Sequence, residues 1–170
     1  MKKLIDIIEI FHESFSPYKM NVSVDELVDM YQKKELCFDT SKLLEEQSWD
    51  NDTQSLFIEN LLIGIPANRI IVTEDGNSGT WFIQDGVQQM ATVLSYLNHL
   101  QDGEITGYHN QWKIGSVGFI GELYGLGYGD LPKKLKAFLN GVNIPIIVVR
   151  KSGDDYILAD SLISRLKLGL

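Results

Sequence analysis

Apolar residues recur at helical spacing from the start of the chain. Leu4, Ile7, Ile8, Phe11 and Phe15 predict an amphipathic helix over residues 2–14, ended by Ser16-Pro17. Ser23 and Glu26 make a capping box, and the helix it opens carries Leu27, Val28 and Tyr31 on one face to about Lys34. A short extended piece follows at Leu36 to Phe38. Asp50 to Thr53 is rich in N-cap residues; Leu56, Phe57, Asn60, Leu61 and Ile63 then repeat at helical spacing until Gly64 and Pro66 stop a third helix.

The period then changes. Arg69 to Thr73 and Thr80 to Gln84 are β-branched and aromatic, and Asp75-Gly76-Asn77-Ser78-Gly79 between them predicts an antiparallel hairpin. Asp85-Gly86 turns the chain into a long amphipathic helix marked by Val87, Met90, Ala91, Leu94, Leu97 and Leu100. Residues 102–131 hold eight glycines and five aromatics without clear period, which predicts loop, with a short strand at Gln111 to Ile114. Pro132 at the first helical position and Gly141 bracket a short helix. Ile144 to Arg150 reads as a buried strand, Ser152-Gly153-Asp154 as a turn, Tyr156 to Ala159 as a second strand and Ser161 to Leu168 as a final helix. The expected class is α+β, a small mixed sheet covered by helices.

Composition narrows the class without naming a function. A chain of 170 residues can bury a real core, and 44% hydrophobic with 10% aromatic residues excludes disorder. One cysteine excludes an internal disulfide framework and points to a reducing cytoplasm. The longest apolar runs, Leu61 to Pro66 and Ile144 to Val149, fall far short of the roughly 20 residues a membrane helix needs. Asp6, Glu9 and His12 interrupt the opening apolar stretch, so no targeting segment and no membrane partner are expected.

The formal net charge of −8 is unevenly spread. Residues 37–112 carry two basic and eleven acidic groups, whereas 113–170 carry eight basic and five acidic. Nucleic acid would therefore be met by the basic C-terminal part, through Lys133, Lys134, Lys136, Arg150, Lys151, Arg165 and Lys167; an ordinary solvated surface is the alternative.

Most catalytic patterns are missing. His12, His99 and His109 are scattered, and there is no cysteine pair, His-Glu-x-x-His, Gly-x-Ser-x-Gly or Walker loop. Cys37 reads as a small core residue rather than a nucleophile. Gly125-Leu126-Gly127-Tyr128-Gly129 has the composition of a phosphate cradle but follows no clear strand, and a flexible loop is the alternative. The strand, Asp85-Gly86 and helix in succession are more informative. Such a join aims free amide hydrogens and the positive end of the helix at whatever lies above the turn, which suits an anion, while Asp85 is placed to hold a divalent metal. A plain Asp-Gly turn is the competing reading.

These residues bring a family into view. Ile83-Gln84-Asp85-Gly86-Val87-Gln88-Gln89-Met90-Ala91-Thr92 resembles the Val-Ile-Asp-Gly-Gln-Gln-Arg-Leu-Thr-Thr signature of GmrSD-type restriction endonuclease N-terminal domains, relatives of the ParB and sulfiredoxin fold. Leu56-Phe57-Ile58-Glu59-Asn60-Leu61-Leu62-Ile63-Gly64-Ile65-Pro66 is similar to that family's Leu-Ile-Glu-Ser-Ile-Leu-Leu-Gly-Ile-Pro segment. Val24 to Leu36, Trp49 with Gln54, Asp130-Leu131-Pro132, the Ile144 to Val149 strand and Leu162 to Gly169 resemble further family segments in the expected order. The resemblance implies a ParB/sulfiredoxin-like domain over 22–170, preceded by an N-terminal helical extension over 1–21. It also implies a site for a nucleoside triphosphate with Mg²⁺ at Asp85, Gly86, Gln88, Gln89, Glu59 and Arg165, with Asp85 on the metal.

The departures define what is expected of that site. Val87 replaces the first Gln of the signature, Gln89 stands where the family has Arg, Phe38-Asp39-Thr40 lacks an upstream Gln-Arg pair, and Lys167 replaces a late Asn. Two cationic phosphate ligands are gone, each worth roughly 1.5–3 kcal/mol as a charge-assisted bond. A neutral Gln donates a hydrogen bond but does not offset phosphate charge. The resemblance thus implies a degenerate, non-catalytic binding or regulatory module in phage–host conflict, with a protein partner from a restriction, replication or transcription system. Two alternatives stand beside it: an active NTPase or DNA nuclease with a rearranged pocket, and an acidic DNA-mimic inhibitor of a restriction enzyme or polymerase.

Overall fold

The computed structural model describes residues 2–14, 17–39, 43, 47–151 and 156–169. Their elements are α1 (Lys2–Ser14), β1 (Tyr18–Ser23), α2 (Val24–Gln32), β2 (Leu36–Phe38), α3 (Asn51–Ile63), β3 (Ile70–Asp75), β4 (Trp81–Asp85), α4 (Val87–Tyr96), α5 (Lys133–Asn140), β5 (Asn143–Lys151) and α6 (Tyr156–Leu168). The expected α+β class is observed, as one mixed sheet with six helices among the described residues. Its strand order is β1-β5-β3-β4-β2. β1 runs antiparallel to β5 and β4 antiparallel to β3, whereas β3 with β5 and β2 with β4 are parallel.

Local chemistry explains where most helices begin and end. The Ser23 hydroxyl accepts the Glu26 N–H at 3.2 Å, the N-cap half of the expected capping box, and the Asp50 carboxylate accepts the Thr53 N–H at 2.8 Å to open α3. Gly64, at φ +84°, closes α3 in the left-handed conformation that glycine adopts freely. α4 ends earlier than its apolar repeat predicts. Asn98 turns left-handed at φ +65°, and the amides of His99 and Leu100 fold back onto the Leu94 carbonyl. Leu97 and Leu100 stay buried from the turn that follows.

Two layers of helix sandwich the sheet. Ile70, Val72, Ile83, Ile146 and Val148 point into the main core with Ile58 and Leu61 of α3 and Met90 and Leu94 of α4. Ile71, Ile147 and Val149 form a second cluster on the other face, under Leu162 and Leu166 of α6. β3 is central and covered on both sides, which accounts for its unbroken apolar run.

Three expectations are corrected. Tyr156 to Ala159 is the first turn of α6, not a strand: β5 already lies between β1 and β3, so no hydrogen-bonding edge remains for a hairpin partner. No strand forms at Gln111 to Ile114; Ile114 instead exchanges single bonds with Leu126 and Gly125, its amide donating at 3.0 Å and its carbonyl accepting at 2.7 Å. Pro132 is the N-cap of α5 rather than its first helical residue, since its ψ of 144° is extended. The turn expected at Ser152-Gly153-Asp154 lies outside the described residues, apart from Lys151 before it.

β1 is an element the apolar pattern did not predict. The boundary expected between residues 21 and 22 falls inside this strand, which pairs with β5 from Tyr18 to Ser23. Residues 3–13 of α1 are exposed, including Leu4, Ile5, Ile8 and Phe11. Among the described residues no helix is long and apolar enough to cross a membrane.

Candidate functional site

The hairpin delivers the Asp85-Gly86 turn to the start of α4. Register between β3 and β4 slips so that Ile71 faces Asp85 while Val72 faces Ile83, leaving Gln84 unpaired in between. This bulge kinks β4 just ahead of the turn, and bulges of this kind re-aim the side chains that follow. Gly86 sits at φ +90°, and a Cβ there would meet Ile70 Cγ1 at 2.8 Å. Both backbone conformation and close packing on β3 therefore require glycine.

The two glutamines after the turn have different fates. Gln88 is buried, and its Oε1 accepts the Tyr108 hydroxyl at 2.5 Å and the Trp49 N–H at 3.2 Å. It thereby fastens the segment before α3 and the loop after α4 to the helix. Gln89 is 8% exposed and lies on the wall of a cleft, yet its Oε1 is buried without a hydrogen-bond partner. A buried acceptor left unmade costs about 1–3 kcal/mol, so such a group calls for an explanation.

That cleft, about 270 Å³, opens between the end of α3, the segment after it and the first turn of α4. Trp49, Phe57, Leu61, Ile65, Pro66 and Ala67 form its apolar wall, and Asn60, Asn68 and Gln89 supply three carboxamides. The Trp49 and Phe57 rings meet edge to face, 5.4 Å between centroids at 65°. Among the described residues the lining contains no ionisable side chain.

The other expected site residues lie elsewhere. Glu59 is fully buried on α3, where its carboxylate accepts the amide hydrogens of Gly118 at 2.6 Å, Phe119 at 2.9 Å and Ile120 at 2.7 Å. Burial pushes its pKa up, but the three amides outweigh that and hold it below the usual carboxylate range. Arg165 is exposed on α6, a helix packed against the sheet face opposite α4. Asp85 is half-buried and is not part of the cleft wall. Val87, at the position of a family glutamine, is 1% exposed in the main core.

Of the six residues, the structure therefore brings Gln89 to the cleft wall, packs Gly86 against Ile70 and commits Gln88 and Glu59 to internal bonds. Asn60 and Asn68 were missed by sequence reasoning. Their only signal was proximity to the Leu56 to Pro66 segment, because a neutral amide carries no motif.

A Mg²⁺-nucleotide fits this arrangement only in part. Mg²⁺ is commonly held by one or two carboxylates together with substrate phosphates, a role open to Asp85. Among the described residues no group of three or more His, Cys, Asp and Glu side chains is gathered for a metal. Among the described residues the cleft wall offers phosphate no cation. No protein-family model matches the chain, and neither a curated protein nor a solved structure matches it.

Proposed function

We propose that the chain is a degenerate, non-catalytic relative of the nucleotide-binding domain of modification-dependent restriction systems. In this reading it has a ParB/sulfiredoxin-like fold and acts in the cytoplasm as a binding or regulatory module in phage–host conflict. Its ligand is a nucleotide taken at the start of α4, and its protein partner belongs to a restriction, replication or transcription system.

The observation that carries the ligand assignment is a cleft beside the Asp85-Gly86 turn, walled in part by Gln89, whose buried Oε1 has no hydrogen-bond partner. The absence of cations from that wall among the described residues, with Gln89 where the resembled signature has Arg, favours binding without turnover. Isothermal titration with each nucleoside triphosphate, with and without Mg²⁺, tests the assignment. Saturable heat from at least one nucleotide, without phosphate release, is the expected result; no heat from any of them defeats the reading.

A further inference from the structure

We infer that the cleft recognises the base of the nucleotide, a neutral planar heterocycle with N–H donors on its edge, and leaves the phosphates outside in solvent. The inference rests on the nucleotide reading above and specifies which part of that ligand is gripped.

The orphaned atom decides the chemistry. Gln89 Oε1 is an acceptor, and an ionised phosphate oxygen is also an acceptor, so a phosphate leaves it as unsatisfied as before. A ring N–H or exocyclic amine satisfies it. That oxygen lies beside Gly86, and a base in the cleft would engage it by turning the Gln89 terminal amide, a torsion whose minimum is broad.

The rest of the wall agrees. Asn60 and Asn68 add a donor and an acceptor each, which matches the alternating edge of a heterocycle. Trp49 and Phe57 bring aromatic surface to the same space, and the Trp49 amide is held by Gln88 and Tyr108. A phosphate entering this wall would lose water without meeting a cation among the described residues, a heavy penalty for any charged group. Size points the same way, since about 270 Å³ lies just under the roughly 300 Å³ at which pockets for drug-sized ligands begin.

The test titrates the full chain with each common ribonucleoside and deoxyribonucleoside, the matching triphosphates and inorganic tripolyphosphate, at low and high salt, with and without Mg²⁺. At least one nucleoside should bind, within about tenfold of its triphosphate (about 1.4 kcal/mol), with little response to salt or Mg²⁺. Gln89→Leu should weaken nucleoside binding about tenfold or more while holding or raising the melting temperature, because it removes an unpaired buried oxygen. Asn68→Ala, at an exposed position, should weaken binding without touching the core. Binding of triphosphates or tripolyphosphate without nucleosides overturns the base assignment and leaves the nucleotide reading standing. Nucleoside binding indifferent to both substitutions places the ligand elsewhere and overturns it too. No binding by any compound removes the nucleotide reading itself.

Discussion

Glu59 holds Phe119 in place from below: its buried carboxylate accepts the Phe119 N–H at 2.9 Å, while the Phe119 ring stands 77% exposed. The same carboxylate takes the amides of Gly118 and Ile120, so three consecutive N–H groups close around one anion. Ser55 and Asn51, one and two turns earlier on α3, bind the Gly115 amide and the Lys113 carbonyl. The glycine-rich stretch that resembled a loose loop is thus fastened along one face of α3. Gly115 packs so close to Asn51 that a Cβ would fall 2.0 Å from Oδ1.

Replacing Glu59 by Gln should destabilise the protein by about 2–3 kcal/mol, because an NH₂ group would face amides that are themselves donors. In a chain of this size that corresponds to roughly 4–12 °C in melting temperature. The pH dependence follows from the lowered carboxyl pKa. Stability from this group is fully present above the unfolded carboxylate pKa and is lost as pH falls through the depressed folded value. Urea unfolding of both proteins between about pH 6 and about pH 3 should show the gap narrowing toward acid.

Gly86→Ala and Gly64→Ala should differ although both glycines have positive φ. Gly64 has open space around its would-be Cβ, so alanine there costs only the left-handed backbone, about 1 kcal/mol. At Gly86 the methyl group would also press on Ile70 Cγ1 and its backbone, raising the cost to about 2–3 kcal/mol. Denaturant midpoints at unchanged m-values would check the difference.

Legibility in the sequence followed the strength of the local signal. Ser23 with Glu26, Asp50 with Thr53, and Gly64 announced α2 and α3 because caps depend on a few neighbouring residues. β1 gave no such signal: of its six residues only Val22 is buried, so no alternation exists to read. At the site, the Asp85-Gly86 turn was legible through its turn chemistry. What pattern could not reveal is which partner a polar side chain takes. Gln88 and Glu59 were consumed by Tyr108, Trp49 and the amides of 118–120, all distant in sequence. The cleft was illegible for the same reason, since its amides come from α3, the segment after it and α4.

Cys37 should behave as an inert thiol. Burial raises its pKa, Glu104 adds to the rise and Lys34 opposes it, so the thiolate fraction at neutral pH is small. A disulfide reagent at neutral pH should modify the folded protein more slowly than the urea-unfolded chain, and raising the pH should narrow the difference.

Tyr108 bonds the backbone of Trp49 without itself lining the cleft. Its hydroxyl donates to Gln88 Oε1 at 2.5 Å and accepts the Trp49 N–H at 3.2 Å, and that N–H also reaches Gln88 Oε1. Tyr108→Phe removes the hydroxyl from a residue only 4% exposed, which should cost about 1 kcal/mol of stability. The Trp49 amide keeps a single acceptor, so its ring should become less fixed. A purely structural role for Tyr108 would lower the melting temperature and leave ligand affinity alone. A positioning role predicts weaker nucleoside binding as well, with a shifted ¹⁹F resonance for fluorotryptophan at position 49 and an unshifted one for Trp81, which lies in the core beside β2. Measuring the affinity well below the melting transition separates the two effects.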